Sequence, residues 1–319
     1  MTEATAVFVE APARLHLGLI DLRGDLGRRF GGLGAALGAP SILLEARPAP
    51  ELSAAGQEAD RLLLYARRFV EHHGIAGGAV LRLHRAIPAH AGLGSGTQLA
   101  LATAAALATI FDRPTEATAL ATATRRGERS AIGMWSFAEG GFIVEGGRRV
   151  GGTEPAPLLL RQDMPAEWRC LVVVPDVARG LSGAEEDEAF RTLPPPPTEM
   201  AERIAHRILM LVLPALVEKD LAAFGRGLTE VQQLVGEMFR PVQGARFAHR
   251  VVGEIVEELL ASGAAGAGQS SWGPAAFGLF GNEESAARAA ERLKGRGETF
   301  LTPFNNKGSR IWREGVEGL

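Results

Sequence analysis

The segment of this chain best suited to chemistry is Ile87-Pro88-Ala89-His90-Ala91-Gly92-Leu93-Gly94-Ser95-Gly96-Thr97-Gln98, which runs into an alanine-rich stretch. Glycines let a backbone approach a ligand closely and take positive φ. A helix starting there aims unpaired N–H groups and the positive end of its dipole at an anion. Gly92, Gly94, Ser95, Gly96 and Thr97 are therefore the candidate phosphate cradle. The spacing excludes two familiar loops. Gly96 precedes Thr97-Gln98, not the Lys-Ser/Thr pair of a Walker loop, and G-x-G-x-G is not the dinucleotide pattern. A strand-to-helix turn without a ligand has the same composition, so the surrounding segments must decide.

Arg14 and His16 share one face of an extended segment, with Leu15 and Leu17 on the other. Both are candidates for substrate contact, with a solvated surface pair as the alternative. Asp21 sits at the turn that follows, where capping competes with a metal or ribose contact. Arg28 and Arg29 are solvated cations within reach of a phosphate. In Arg179-Gly180-Leu181-Ser182-Gly183, glycines flank Arg179 and Ser182, and a guanidinium suits two-point recognition of a carboxylate or phosphate. Glu185 and Glu186 follow at a helix start, where acids are favoured by the dipole in any case. Gln269, Ser270, Ser271 and Trp272 form a polar edge. There Trp272 either stacks on an aromatic ligand or fills core. Lys307, in the turn Asn305-Asn306-Lys307-Gly308, could reach a phosphate. The remaining histidines show no metal-ligand spacing, and Cys170 lies in an apolar strand where a thiol is inert.

The elements that must position these groups follow from periodicity and punctuation. Short strands are expected at Ala6–Glu10 and Ser41–Arg47, flanking a glycine-rich loop from Gly24 to Gly38. A helix at Asp60–His73, a strand at Ala79–His84 and an alanine-rich helix at about Thr97–Phe111 surround the glycine loop. A second helix is expected from Thr115, with Thr115 as N-cap, to about Arg126, then a strand at Gly141–Glu145. The glycine- and proline-rich stretch 146–157 divides the chain into lobes of residues 1–155 and 156–319. The second lobe reads as a strand at Trp168–Val174 and helices near Glu199–Leu213, Asp220–Gly236 and Ala245–Ala261. Strands at Ala275–Phe280, Glu298–Leu301 and Arg310–Trp312, with a helix at Glu283–Leu293, complete it. Pro214 is expected to end the first of the three helices. This order of elements suits an α+β architecture better than a regular parallel sheet.

The 319 residues carry 46% apolar and 22% charged side chains and a net charge of −3. Nothing there implies nucleic acid, which requires a basic face to neutralise phosphates. The longest apolar helical stretch, Leu99–Ile110, is too short to cross a membrane. One cysteine excludes a disulfide framework and fits a reducing compartment, so a cytoplasmic location is expected. A homodimer is compatible with the sequence but not read from it.

The Pro88-x-x-x-Gly92-Leu93-Gly94-Ser95 block resembles the second motif of the GHMP kinases, which include galacto-, homoserine and mevalonate kinases. Ala11-Pro12-Ala13-Arg14-Leu15-His16-Leu17-Gly18 and Gly266-Ala267-Gly268-Gln269-Ser270-Ser271-Trp272-Gly273-Pro274 stand where that family has its first and third motifs. The resemblance implies an N-terminal lobe like ribosomal protein S5 domain 2 and a ferredoxin-like C-terminal lobe. It also implies Glu128 as a Mg2+ ligand. Two family features are missing. Where the kinases carry the aspartate that activates the acceptor hydroxyl, this chain has Trp135 or a neighbour. Gly96 replaces the second loop serine.

These departures resemble one branch of the superfamily, the β-ribofuranosylaminobenzene 5′-phosphate synthases. The shared strings are Arg14 to Leu22, Gly92 to Gln98, Ser130-Ala131-Ile132-Gly133, Gly140 to Gly147, Arg179 to Gly183 and Gly268 to Pro274. That resemblance implies transfer of the phosphoribosyl group of 5-phosphoribosyl 1-diphosphate to 4-aminobenzoate, with loss of CO2 and diphosphate, in methanopterin biosynthesis. Arg14, His16 and Arg179 are then the catalytic candidates and Mg2+ the cofactor. The missing aspartate fits, because a carbon nucleophile has no hydroxyl proton to surrender. An ATP-dependent kinase of a small alcohol and a non-catalytic phosphometabolite sensor remain as alternatives.

Overall fold

The computed structural model describes residues 5–177 and 184–315. Arg179 and Ser182, and the side chains of Glu185 and Glu186, lie outside the described residues.

Val7, Val9, Ala11, Ala13, Leu15, Leu17 and Leu19 recur at every second position, and all are buried. A period of two over that length makes one long strand, β1 (Val7–Asp21), rather than a short one ending at Glu10. It turns through residues 22–27 into β2 (Arg28–Ala49), so most of the expected glycine-rich loop is strand. The glycines there report close packing rather than a loop. A Cβ on Gly34 would lie 2.2 Å from Ile132 Cγ2 and 2.6 Å from the Leu15 carbonyl oxygen.

The chain continues through β3 (Ser53–Ala55), α1 (Ala59–His73), β4 (Gly78–Arg85), α2 (Ser95–Phe111), α3 (Ala117–Thr124) and α4 (Ile132–Glu139). Then come β5 (Phe142–Glu145), β6 (Arg148–Arg149), β7 (Leu158–Gln162) and β8 (Arg169–Val174). The helices α5 (Ala184–Thr192), α6 (Thr198–Arg207), α7 (Leu213–Glu218), α8 (Leu221–Gln243) and α9 (Arg250–Ala261) follow. The last elements are β9 (Gly266–Gln269), β10 (Ala276–Phe280), α10 (Glu283–Arg292), β11 (Glu298–Thr302) and β12 (Arg310–Arg313).

Eight strands form the first sheet. Its main path is β12-β1-β2-β4-β3, with β5 and β6 also pairing with β2 and β7 with β5. Four strands form the second, in the order β11-β8-β10-β9, all antiparallel. That order and the helix placement are those of a ferredoxin-like lobe. Helix α2 is buried nearly all round, as expected of a helix that is apolar on every face.

Two further expectations are corrected. Thr115 is not the cap of α3, which begins at Ala117 with Glu116 in the cap position and no side-chain cap. Pro214 does not end a helix. The chain passes from α6 through a π-helical turn, Ile208–Val212, into α7, where Pro214 lies in the first turn and its missing N–H costs little. Helix α4 was not anticipated, because its eight residues lack a cap or a polar face to announce them.

Phe224 of α8 ties the two sheets together. Fully buried, it meets Phe142 of β5 edge-on at 5.6 Å and Trp168 at 5.1 Å. Phe224→Ala should cost about 3–5 kcal/mol of folding free energy, read as a lower urea midpoint with an unchanged slope.

Candidate active site

Strand β1 is where the site begins. Its pairing with β2 shifts register between Pro12 and Arg14 and again between His16 and Gly18. Such irregularities bend a strand and re-aim its side chains. Arg14 and His16 stand between them, on the face opposite the buried odd-numbered residues. Arg14 donates its N–H to the Leu93 carbonyl at 3.1 Å and Nη1 to the Gly92 carbonyl at 2.5 Å. Its side chain therefore lies along the glycine loop, and a Cβ on Gly94 would sit 3.0 Å from Arg14 Cγ.

Gly94, at φ 82°, is the cap position of α2 and offers no side chain to the helix. The Thr97 and Gln98 N–H groups turn back to its carbonyl at 3.0 Å. The loop meets the second lobe backbone to backbone: a Cβ on Gly92 would fall 2.1 Å from the Ser270 carbonyl oxygen, and one on Gly273 would fall 2.1 Å from the Gly92 nitrogen. Ser270 Oγ donates to the Gly92 carbonyl at 2.8 Å and accepts the His16 N–H at 3.0 Å. One hydroxyl thus joins β1, the loop and the turn after β9.

Between these segments lies a cavity of about 600 Å³. Among the described residues lining it are six arginines, Arg14, Arg61, Arg125, Arg126, Arg129 and Arg246, against one carboxylate, Glu128. Arg61 and Arg126 flank the start of α2. Their Nη2 atoms lie 3.0 and 3.4 Å from where a Cβ on Gly96 would be. Glu58 holds Arg61 at 2.7 Å. Arg126 donates to the Tyr65 hydroxyl and lies over the Tyr65 ring at 5.0 Å, while its Nε is buried without a hydrogen-bond partner.

The opposite wall is aromatic. Trp272 stacks on Phe190 at 4.7 Å and meets Phe239 edge-on at 4.8 Å. Its Nε1 is buried without a hydrogen-bond partner. Ser271 holds the left-handed conformation, φ 59°, which is uncommon for a residue with a side chain. Gln269 fixes that turn, donating Nε2 to the Ser271 carbonyl at 2.7 Å and accepting the Ala248 N–H at 2.9 Å.

His16 is neutral here. Burial first, and the Arg14 charge second, hold its pKa down to about 3. Its Nε2 lies 3.1 Å from Ser130 Oγ. Behind Ser130 is Glu145 of β5, which is fully buried. Burial pushes its pKa up to about 7, against hydrogen-bonding groups of Gly147, Ala131 and Ser130 that favour the charged form. The Gly147 N–H reaches Oε2 at 2.9 Å. Oε1 completes no hydrogen bond.

The chain matches the family model of the GHMP kinases N terminal domain over residues 61–140 and that of GHMP kinases C terminal over 212–299. It is 33% identical to a protein of Methanothermobacter thermautotrophicus named beta-ribofuranosylphenol 5′-phosphate synthase, across 95% of this chain and 98% of that one. A protein of Methanocaldococcus jannaschii with the same name is 31% identical over 96% and 100%. The chain belongs to the β-ribofuranosylphenol 5′-phosphate synthase family. Its fold is that of the GHMP kinases. A homoserine kinase from Cytophaga hutchinsonii superposes with a TM-score of 0.68 at 17% identity, covering 96% of this chain and 97% of that one.

In this synthase-family chain the residues singled out from sequence fall into three groups. Arg14, His16, Gly92, Gly94, Ser95, Gly96, Thr97, Glu128, Gln269, Ser271 and Trp272 line the cavity, and Ser270 ties its walls together. Asp21 and Lys307 are not among the lining residues. Asp21 caps its own turn, accepting from the Arg23 and Gly24 N–H groups at 2.7 and 3.2 Å. Lys307 is exposed in a turn closed by Asn305, whose side-chain oxygen accepts the Lys307 and Gly308 N–H groups at 2.8 Å. Arg179 and Ser182 lie outside the described residues. Sequence reasoning missed Arg61, Tyr65, Arg126 and Glu145. Arg126 sits two residues before Glu128, already singled out, which was the available signal. Arg61 and Tyr65 sit on a helix face that read as ordinary.

No cluster of three or more candidate metal ligands occurs among the described residues. A lone Glu128 on the wall fits a Mg2+ that arrives on a polyphosphate, the usual arrangement for this ion, and does not fit an all-protein cage.

Glu145 carries a stability consequence with a definite sign. Its folded pKa lies above the ordinary carboxylate value, so the fold favours the protonated form. That contribution is complete below about pH 4.5 and is lost as pH rises through about 7. Glu145→Gln cannot titrate. Its stability (free energy of unfolding) relative to the wild type should therefore increase between those pH values by on the order of 3 kcal/mol, measured by denaturation at stepped pH.

Proposed function

We propose that this chain condenses 5-phosphoribosyl 1-diphosphate with a benzoate carrying an electron-donating para group, releasing CO2 and diphosphate in methanopterin biosynthesis. The observation that carries the reading is the six-arginine cavity around the uncapped start of α2, faced by an aromatic wall. A ligand with phosphates at both ends suits such a cation excess. The ring of the acceptor suits Trp272 and its neighbours. The curated relatives are named for a ribofuranosylphenol, which puts 4-hydroxybenzoate beside 4-aminobenzoate as the acceptor.

Arginines and N–H groups hold the diphosphate as its bond to ribose C1 lengthens, leaving an oxocarbenium-like sugar. The ring carbon bearing the carboxylate bonds to C1, and the para oxygen or nitrogen takes up the positive charge. The pair of the ring–carboxylate bond then returns to the ring as CO2 leaves. No net proton is gained or lost. Glu128 would be the residue to hold a Mg2+ brought by the diphosphate, and that ion would supply charge neutralisation for the leaving group. What the protein must supply is alignment and fixed positive potential; the arginines provide the potential, and a neutral His16 suits alignment by hydrogen bonding.

The test is incubation of the protein with 5-phosphoribosyl 1-diphosphate, Mg2+ and either acid labelled in its carboxyl group. Labelled CO2 is expected with at least one acid. ATP consumption with a small alcohol and no CO2 would replace this reading with a kinase, and binding without turnover with a sensor. Arg14→Ala and Arg126→Ala should each weaken the phosphoribosyl substrate by about 2–5 kcal/mol, roughly 30-fold or more in KM, with Lys a poor replacement. Gly94→Val should abolish diphosphate binding by calorimetry, since its side chain would enter the Arg14 guanidinium.

A further inference from the structure

Ser130 has one hydrogen and two lone pairs to place. The Ile132 N–H donates to its oxygen at 3.3 Å, which occupies one lone pair. What remains, one hydrogen and one lone pair, must serve two neighbours. One is His16 Nε2 at 3.1 Å. The other is Glu145, with Oε2 already held by the Gly147 N–H and a buried Oε1 that completes no bond. A Cβ on Gly32 would lie 3.6 Å from Glu145 Oε1 and 3.7 Å from His16 Cε1, so acid and imidazole converge on one spot.

The two neighbours cannot be served independently. If Glu145 is ionised, Ser130 donates to it and accepts a hydrogen from His16 Nε2. If Glu145 is protonated, it donates to Ser130, whose own hydrogen then points at a bare Nε2, leaving the ring hydrogen on Nδ1. We propose that Glu145 is a positioning residue whose proton, relayed through Ser130, decides which nitrogen of His16 carries the hydrogen. The shift balances when Glu145 ionises: one hydrogen moves from acid to hydroxyl, one from hydroxyl to Nε2, the Nδ1 hydrogen leaves to solvent, and the heavy atoms stay in place.

Other charged groups near the relay are tied down. Arg28 of β2 donates to the Gly147 carbonyl at 2.8 Å, and Arg148 of β6 donates to the Glu128 carbonyl. The Glu128 side chain is on the exposed wall. On β1, Arg14 is the charge that acts on His16. Burial places the Glu145 ionisation near neutrality, so both settings of the relay are reached at ordinary pH. His16 and Ser130 both line the cavity, so the setting determines the hydrogen-bonding character offered to a ligand there. The relay belongs to the folded protein alone. Only its bearing on turnover rests on the synthase reading.

The test needs no substrate. In protein labelled with 15N at histidine, the His16 signals are assigned by their loss in His16→Gln, and Nδ1 and Nε2 shifts are followed from pH 5.5 to 8.5. The wild type should pass from the Nδ1–H to the Nε2–H form with a midpoint near neutrality. Glu145→Gln, whose amide donates as the protonated acid does, should hold the Nδ1–H form throughout. Ser130→Ala should uncouple the ring from pH. A His16 tautomer that ignores pH in the wild type, or that still switches in Glu145→Gln, overturns the proposal. If CO2 release is observed, Glu145→Gln should lower kcat above pH 7 with KM unchanged; wild-type kcat across that range would confine the relay to structure.

Discussion

The backbone of Gly92 touches the backbone of Gly273, and the geometry of the cavity depends on that contact. A Cβ on either residue would stand 2.1 Å from an atom of the other's segment, closer than any packing tolerates. Because the first sheet's loop and the second sheet's turn meet there without intervening side chains, Ser270 can hydrogen-bond to both β1 and the loop. The Ala275 N–H closes the same junction on the Ala91 carbonyl at 3.0 Å. A second close approach supports it from behind, where a Cβ on Gly225 of α8 would fall 2.3 Å from Ala265. The two lobes thus meet along main chain, which has no rotamers to relax, and the loop is held open toward the arginines.

That rigidity bears on the electrostatics. A helix start with no capping side chain and several guanidinium groups is costly without an anion, because like charges gather where the dipole is already positive. The protein disperses part of this cost. Glu58 pairs with Arg61, Tyr65 receives Arg126, Phe190 lies under Arg129 at 5.3 Å, and Glu237 holds Arg246 at 3.2 Å. These partners lie outside the glycine loop itself and leave the start of α2 without a competing carboxylate. A phosphate arriving there meets donors already oriented, so little ordering remains to oppose binding.

The glycine loop, the Arg14–His16 face and the Gln269–Trp272 edge were legible because each depends on local spacing: glycines before a helix, alternation along a strand, a polar run between apolar ones. The ferredoxin-like order of the second sheet followed from the sequence resemblance. The long β1–β2 hairpin was hidden by glycines at 31, 32, 34 and 38, which admit close neighbours rather than turn the chain: Gly34 lets α4 approach and Gly38 lets β11 approach, while Gly31 and Gly32 pack against β1 and β5. Arg61 gave no signal and Arg126 only its place shortly before Glu128, since the two come from different elements and converge only because α1 and the segment after α3 both pack on α2. Glu145 was read as the end of an apolar strand. Only the tertiary structure shows it buried behind Ser130, with the imidazole on the far side.

The contrast between a kinase and a synthase on one fold reduces to where a carboxylate is allowed. A kinase of this superfamily needs a charged acid beside the acceptor hydroxyl to take its proton. Here the corresponding helix carries Trp135, whose indole donates to the Ala156 carbonyl at 2.9 Å, so the position is spent on packing. The nearest buried acid, Glu145, lies one hydroxyl removed from His16 and is pushed by burial toward its neutral form. Proton-handling capacity is therefore retained behind the wall, while the face turned to the ligand is cationic and aromatic. That combination suits the proposed heterolysis of a phosphorylated anomeric bond better than the deprotonation of an alcohol.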